Sequence, residues 1–291
     1  MNAKFKKWCL TSGFLLLIFV LFIVVSYILG VGLWECSVPA RIILGTLVTI
    51  SAWEFSAICN KGRSLFWKIS CFIVLILPIV WILLDLPSEE IKIEDLELPY
   101  ESYIYAGIYA LVLLIVRGHS SLKDTGRLAK DIFIGMILLG LGGGVTIACT
   151  LTEDFLILLF YSILVVCASN FVGGLFDKFF SSNPSSKLSL ASFFGGLVGG
   201  VLVGAPLAIL GYLGGGADSF TWKIWSSVII AISVVLASLL GKFLLNYVKK
   251  VHGVKDSGKI LFGQGGVLDQ VVGVLMAPLS TVLAFLFIQL F

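Results

Sequence analysis

The chain has 291 residues, 59% of them hydrophobic and 13% charged, with a mean hydropathy of +1.08 and a formal net charge of +3 at pH 7. That composition lies far outside the range of soluble globular domains and excludes one. Apolar runs of roughly 20 residues, the length a helix needs to cross a bilayer, recur along the whole chain.

In chain order the hydropathy predicts an all-α polytopic membrane protein with nine spans, near 12–33, 38–59, 65–86, 102–117, 131–151, 154–172, 189–213, 222–246 and 267–290. About four spans fall in an N-terminal region, 1–130, and about five in a C-terminal region, 131–291. The first span comes after Lys4, Lys6 and Lys7. It carries no small-residue cleavage site and outruns the apolar core of a signal peptide, so it reads as a span. The fourth is the shortest.

Charge placement supports an odd number of spans. With the N-terminus in the cytoplasm, 17 of the 20 basic residues fall on inner segments, and only Arg41, Lys92 and Lys223 fall outside or at the outer edge. The C-terminus is then outside. Between spans three and four, Asp85 to Glu101 holds seven acids and one lysine, a composition that suits a solvated outer loop. Tyr100, Tyr103, Tyr105 and Tyr109 come next as an interfacial aromatic belt.

Glu54 lies inside the second span, in SAWEFSA, where a carboxylate is costly and needs a partner. Arg41 is too far along the same helix to serve. A structural ion pair or interfacial site is the stronger reading, with catalysis as the alternative. Span seven carries glycines and Ser192 at positions 192, 196, 200 and 204, a spacing that lets helix backbones approach closely, within the chain or across a dimer. The six cysteines form no CxxC, and no histidine lies near them in sequence, which argues against a zinc site and a disulfide framework. His119 and His252 sit in predicted cytoplasmic loops, without ligand spacing. No Walker loop, GxSxG elbow or nucleic-acid-binding pattern is present.

The most informative stretch is Val248 to Gln270, VKKVHGVKDSGKILFGQGGVLDQ, wedged between the last two spans. Lysines neutralise phosphates, carboxylates hold divalent cations, and glycines admit a ligand close to backbone amides. On composition alone, a solvated connector with a positive-inside bias is the alternative. The order of residues goes further. It resembles the C-terminal signature of the phosphatidate cytidylyltransferases (CDP-diacylglycerol synthases), which runs K-R-x-x-x-V-K-D-S-G, P-G-H-G-G, L-D-R-x-D-S and then a proline-containing span. Lys249, Lys250, Val254, Lys255, Asp256, Ser257, Gly258, Gly263, Gly265, Gly266, Leu268, Asp269 and Pro278 stand in register without a gap. SNFVGGLFDK (Ser169 to Lys178) and the segment from Lys187 to Gly196 resemble two upstream family segments more weakly. The likeness covers about the last 130 residues well, with the signature loop at 248–272.

The resemblance implies nucleotidyl transfer from CTP to phosphatidic acid, in the lipid bilayer of a bacterial inner membrane. It also implies a cytoplasm-facing polar cleft among spans six to nine, and a homodimer or pairing with a homologue. It implies a magnesium ion on Asp269 and Asp256, with Asp269, Asp256 and Lys255 catalytic. Lys249, Lys250, Lys187, Ser257, Gly265 and Gly266 are implied to bind substrate.

This chain departs from the family pattern at several polar positions. The second acid of D-R-x-D is Val272, its arginine is Gln270, and the histidine of P-G-H-G-G is Gln264. The acid of an upstream G-D pair is Lys242, and the glutamate of K-T-x-E-G is Ala191. The acid of D-x-x-A-Y falls at Val166, or at Asn170 in a shifted register. Three readings are open: a divergent active synthase, a catalytically silent homologue that binds lipid or a partner protein, and a transporter. The retained KDSG and GGxLD favour the first, the missing acids the second. The third rests on Glu54 and the broken glycine-rich spans but lacks paired repeats.

Overall fold

The computed structural model describes residues 37–84, 100–118, 122–151, 155–180, 190–210, 220–258 and 265–289. The predicted first span, Lys187 and most of the acidic loop lie outside them. Among the described residues nine α-helices succeed one another: α1 (Ser37–Cys59), α2 (Leu65–Leu84), α3 (Tyr100–Gly118), α4 (Leu122–Gly135), α5 (Gly142–Ala148), α6 (Phe155–Phe180), α7 (Leu190–Leu210), α8 (Phe220–Val251) and α9 (Val267–Gln289). A π-helical turn, Met136–Leu141, joins α4 to α5, and a 3-10 turn, Cys149–Leu151, ends that run.

The chain is an all-α integral membrane protein. Among the described residues seven helices are long and apolar enough to span, against nine predicted. Of the other two, 12–33 is not described, and the apolar part of α3, Tyr103–Arg117, falls short of a full span. Helix is the outcome because each buried N–H and C=O must be satisfied within its own segment when no water is at hand. Pro78, Pro206 and Pro278 lie inside α2, α7 and α9, as spans packed among neighbours tolerate.

The helices pack as two units. The first combines Ser37–Glu153 with Leu244–Leu275. In it α4, the π turn and α5 pass against α1 and α2 through glycines. A Cβ on Gly135 would lie 2.7 Å from Leu75 and from Phe55, and one on Gly143 2.8 Å from Val48. Thr146 of α5 donates to the Leu275 carbonyl of α9 at 3.0 Å. Phe55, Leu75, Leu138, Leu139, Leu268 and Leu275 are fully buried in this unit.

The second unit draws on Asp154–Phe243 and Met276–Phe291, and its centre is the α6–α7 pair. The predicted stripe on α7 is used inside the chain. A Cβ on Gly196 would meet the Ser169 carbonyl of α6 at 3.2 Å, and one on Gly204 would meet Ala231 of α8 at 2.9 Å. The stripe therefore faces the chain's own α6 and α8.

Candidate functional site

The signature loop begins where α8 stops. The carbonyls of Lys249 and Lys250 accept from Val254 and Gly253, at 2.9 and 3.3 Å, while Gly253 takes φ +60°. This is a Schellman cap, with glycine at the left-handed position. Lys61, just beyond α1, donates to the Gly253 carbonyl at 3.1 Å and ties the cap to the start of the α1–α2 turn.

Beyond this cap, Glu54 organises the described remainder of the loop and the start of α9. Its carboxylate, 3% exposed, accepts from the backbone amides of Val267 at 3.1 Å and Leu268 at 2.9 Å, and from the Ser257 hydroxyl at 3.1 Å. The two amides open α9 and have no partner within the helix, so a carboxylate there is held by hydrogen bonds and by the positive end of the helix dipole. Gly258 and Gly266 make room for it: a Cβ on either would run into the Glu54 carboxylate. Among the described residues, the partner that Glu54 needed is a helix N-terminus. Sequence reasoning found the residue and missed its partner, because amides more than 200 positions away leave no mark on local hydropathy.

Beside it lies a charged pair. Lys249 contacts Asp269 at 2.5 Å, with the two side chains only 7% and 13% exposed. The other Asp269 oxygen accepts from the Ser257 amide at 2.9 Å. Gly265 adopts φ +98°, and a Cβ there would lie 2.7 Å from Asp269 Oδ2 and 3.5 Å from Asp256 Oδ1. The two acids therefore converge on one glycine. Lys250 and Lys255 are exposed. Gly266 faces Glu54, and the first amides of α9 are already engaged by that carboxylate. Of the expected set, the fold thus gathers Asp256, Asp269, Lys249, Ser257, Gly265 and Gly266, and leaves Lys250 and Lys255 on the surface.

Several departures from the signature pattern have structural counterparts. Val272 is fully buried, and Gln270 is 4% exposed. In the other unit Lys242 of α8 donates a hydrogen bond to Asn170 of α6, so these two positions satisfy each other. Spacing in sequence also does not show which side chains meet. The fold brings His252, in the turn after α8, to within 2.7 Å of Asp131 on α4, with Cys59 of α1 beside them.

Fold and site together define a polytopic helical membrane protein with a lysine–carboxylate centre at the start of its last helix. Residues 10–291 match the model of the cytidylyltransferase family, and the chain belongs to that family. It is similar to a phosphatidate cytidylyltransferase of Rickettsia conorii, 30% identical over 185 residues that cover 58% of this chain and 76% of the relative. A Helicobacter pylori phosphatidate cytidylyltransferase is 31% identical over 139 residues, 47% of this chain and 51% of the relative. One from Staphylococcus haemolyticus is 28% identical over 123 residues, 40% and 45% respectively. The chain thus spans about half the length of the latter two.

Proposed function

We propose that the protein is a divergent CDP-diacylglycerol synthase, transferring a cytidylyl group from CTP to phosphatidate. A phosphatidate oxygen attacks the α-phosphorus of CTP, and pyrophosphate leaves. The observation that carries this reading is the convergence of Asp256 and Asp269 on Gly265, with Lys249 against Asp269. Both reactants are polyanions, so their approach needs fixed positive charge and carboxylates able to recruit more of it.

The residues fit a magnesium ion. Magnesium takes one or two protein carboxylates and completes its shell with phosphates and water, which two acids flanking a glycine allow. When bound, the ion would supply charge neutralisation for the phosphates. The chain's own groups do the rest. The Ser257 amide and Lys249 hold Asp269 by one oxygen each. Glu54 ties Ser257 to the first turn of α9, so the loop and the helix move together. Exposed Lys250 and Lys255 attract the anionic substrates, and a lost charge-assisted hydrogen bond at Lys255 would weaken binding by about 1.5–3 kcal/mol. Lys187 is proposed to bind substrate alongside them. A cytoplasmic N-terminus, an outer C-terminus and a homodimer in a bacterial inner membrane belong to the same proposal.

The test is transfer from labelled CTP to phosphatidate by the purified protein in lipid, with and without magnesium. Formation of CDP-diacylglycerol supports the proposal, and its absence from a folded preparation overturns it. The Lys242–Asn170 pair favours a second reading, a silent homologue that keeps the loop but binds lipid or a partner protein. If wild type and Lys242→Asp with Val272→Asp are both inert while the wild type still binds phosphatidate vesicles, that reading holds.

A further inference from the structure

Away from the lysine–carboxylate centre, three metal-ligating side chains meet that no step of the proposed reaction uses. Cys59 closes α1, Asp131 lies in α4, and His252 sits in the cap of α8. One ligand atom from each falls within 4.8 Å of the others. Cys59 and Asp131 are 3% and 2% exposed, and the His252 side chain is 10% exposed. Placing a thiol, a carboxylate and an imidazole together out of water is costly unless something satisfies them. The 2.7 Å contact between His252 Nε2 and Asp131 satisfies two of the three. Next to Cys59, the Asn60 side-chain oxygen is buried with no hydrogen-bond partner among the described residues. A second buried thiol, Cys71, lies near Cys59 and Asp131.

We propose that Cys59, Asp131 and His252 form a binding site for one thiophilic divalent cation, zinc(II), which fastens the start of the signature loop to α1 and α4. The donor set decides the metal. Thiolate and imidazole favour zinc, whereas magnesium prefers an all-oxygen shell. Three protein ligands leave the fourth tetrahedral position for a water or a neighbouring oxygen. In a tetrahedral zinc site with bonds of 2.0–2.3 Å, adjacent ligand atoms stand roughly 3.4–3.6 Å apart. His252 and Asp131 therefore part by roughly 0.7–0.9 Å and Cys59 closes by at most about 1.4 Å, movements within reach of side-chain rotation. Binding expels the Cys59 thiol proton and replaces the proton bridge between His252 and Asp131. His252 precedes Lys255 by three positions, so the cation anchors the loop without touching the reacting groups.

The site is tested on the full chain in detergent, stripped with a chelator and titrated with cobalt(II) as the spectroscopic stand-in and then with zinc(II). One equivalent of cobalt should bind with a thiolate-to-metal charge-transfer band, zinc should displace it, and excess magnesium should not. Cys59→Ser should abolish the band, and His252→Gln should weaken binding at least about tenfold. Cys167→Ser should behave as wild type, and so should Asp269→Asn, which keeps this outcome separate from the test of cytidylyl transfer. Folded wild type that shows no band overturns the proposal without reliance on any ligand variant. So does a band that survives in Cys59→Ser.

Discussion

Glu54 sets two glycines and a serine of the signature loop. In a soluble protein a lone carboxylate at this depth would be difficult to account for; here it receives three hydrogen bonds, two of them from the open end of a helix. Glu54→Ala strands these donors and should cost about 1.5–3 kcal/mol, read as loss of thermal stability in detergent. Gly258→Ala drives a methyl into the same carboxylate and should destabilise alone by about 1–3 kcal/mol. In the Glu54→Ala background its added cost should shrink to a fraction of that, because the atom it collides with is gone. Strictly additive losses in this double-mutant cycle would refute the packing account. Asp269→Asn keeps shape while removing the charge that faces Lys249, so it should abolish transfer. It also strands a buried lysine and should lower the unfolding temperature, a loss that Lys249→Gln in the same chain should partly recover. Equal turnover by wild type and Asp269→Asn would disprove its role.

At the scale of elements, close helix approach is set by glycine in both units. The run of α4, the π turn and α5 lies against α1 and α2 because Gly135 and Gly143 present backbone where side chains would not fit. α7 lies on α6 and α8 for the same reason. Lipid supplies no hydrophobic drive between helices, so association rests on van der Waals contact at short range. Gly200→Leu should therefore be severely destabilising, since even a Cβ there collides with Val235. Gly107→Leu, at a position with nothing within 4 Å, should be tolerated. Fluorescence-detected size exclusion after graded heating would rank the two, and a reversed order would contradict the packing.

At the scale of the whole molecule, the apolar helices explain why the chain lives in a bilayer, and the basic residues carry the proposed orientation. Seventeen of 20 basic residues fall on one set of loops when the N-terminus is cytoplasmic. With an impermeant maleimide, Asp95→Cys and Lys255→Cys should label from opposite sides of the membrane. Labelling from the same side would remove the predicted orientation. The proposed dimer has a separate requirement. Because the α7 stripe already packs on α6 and α8, an intersubunit surface must use other residues, and crosslinks through positions 196 and 204 should be absent.

Membrane class, helical content and the identity of the signature loop were legible in the sequence, because each rests on local order. Apolar runs of bilayer length leave the backbone no alternative to helix. Lys249, Asp256, Ser257, Gly265 and Asp269 lie within 21 consecutive positions, so one loop and one helix start suffice to gather most of the site. What only the tertiary structure decided is who answers whom across long separations. Glu54 meets amides 213 and 214 positions away, and His252 meets Asp131 across 121. Lys242 finds Asn170 across 72. Hydropathy and motif spacing carry no information on such pairings. They arise only when helices distant in sequence are packed side by side and charged groups such as these are brought within reach of a partner, since leaving a charge unpaired in a dry interior is costly.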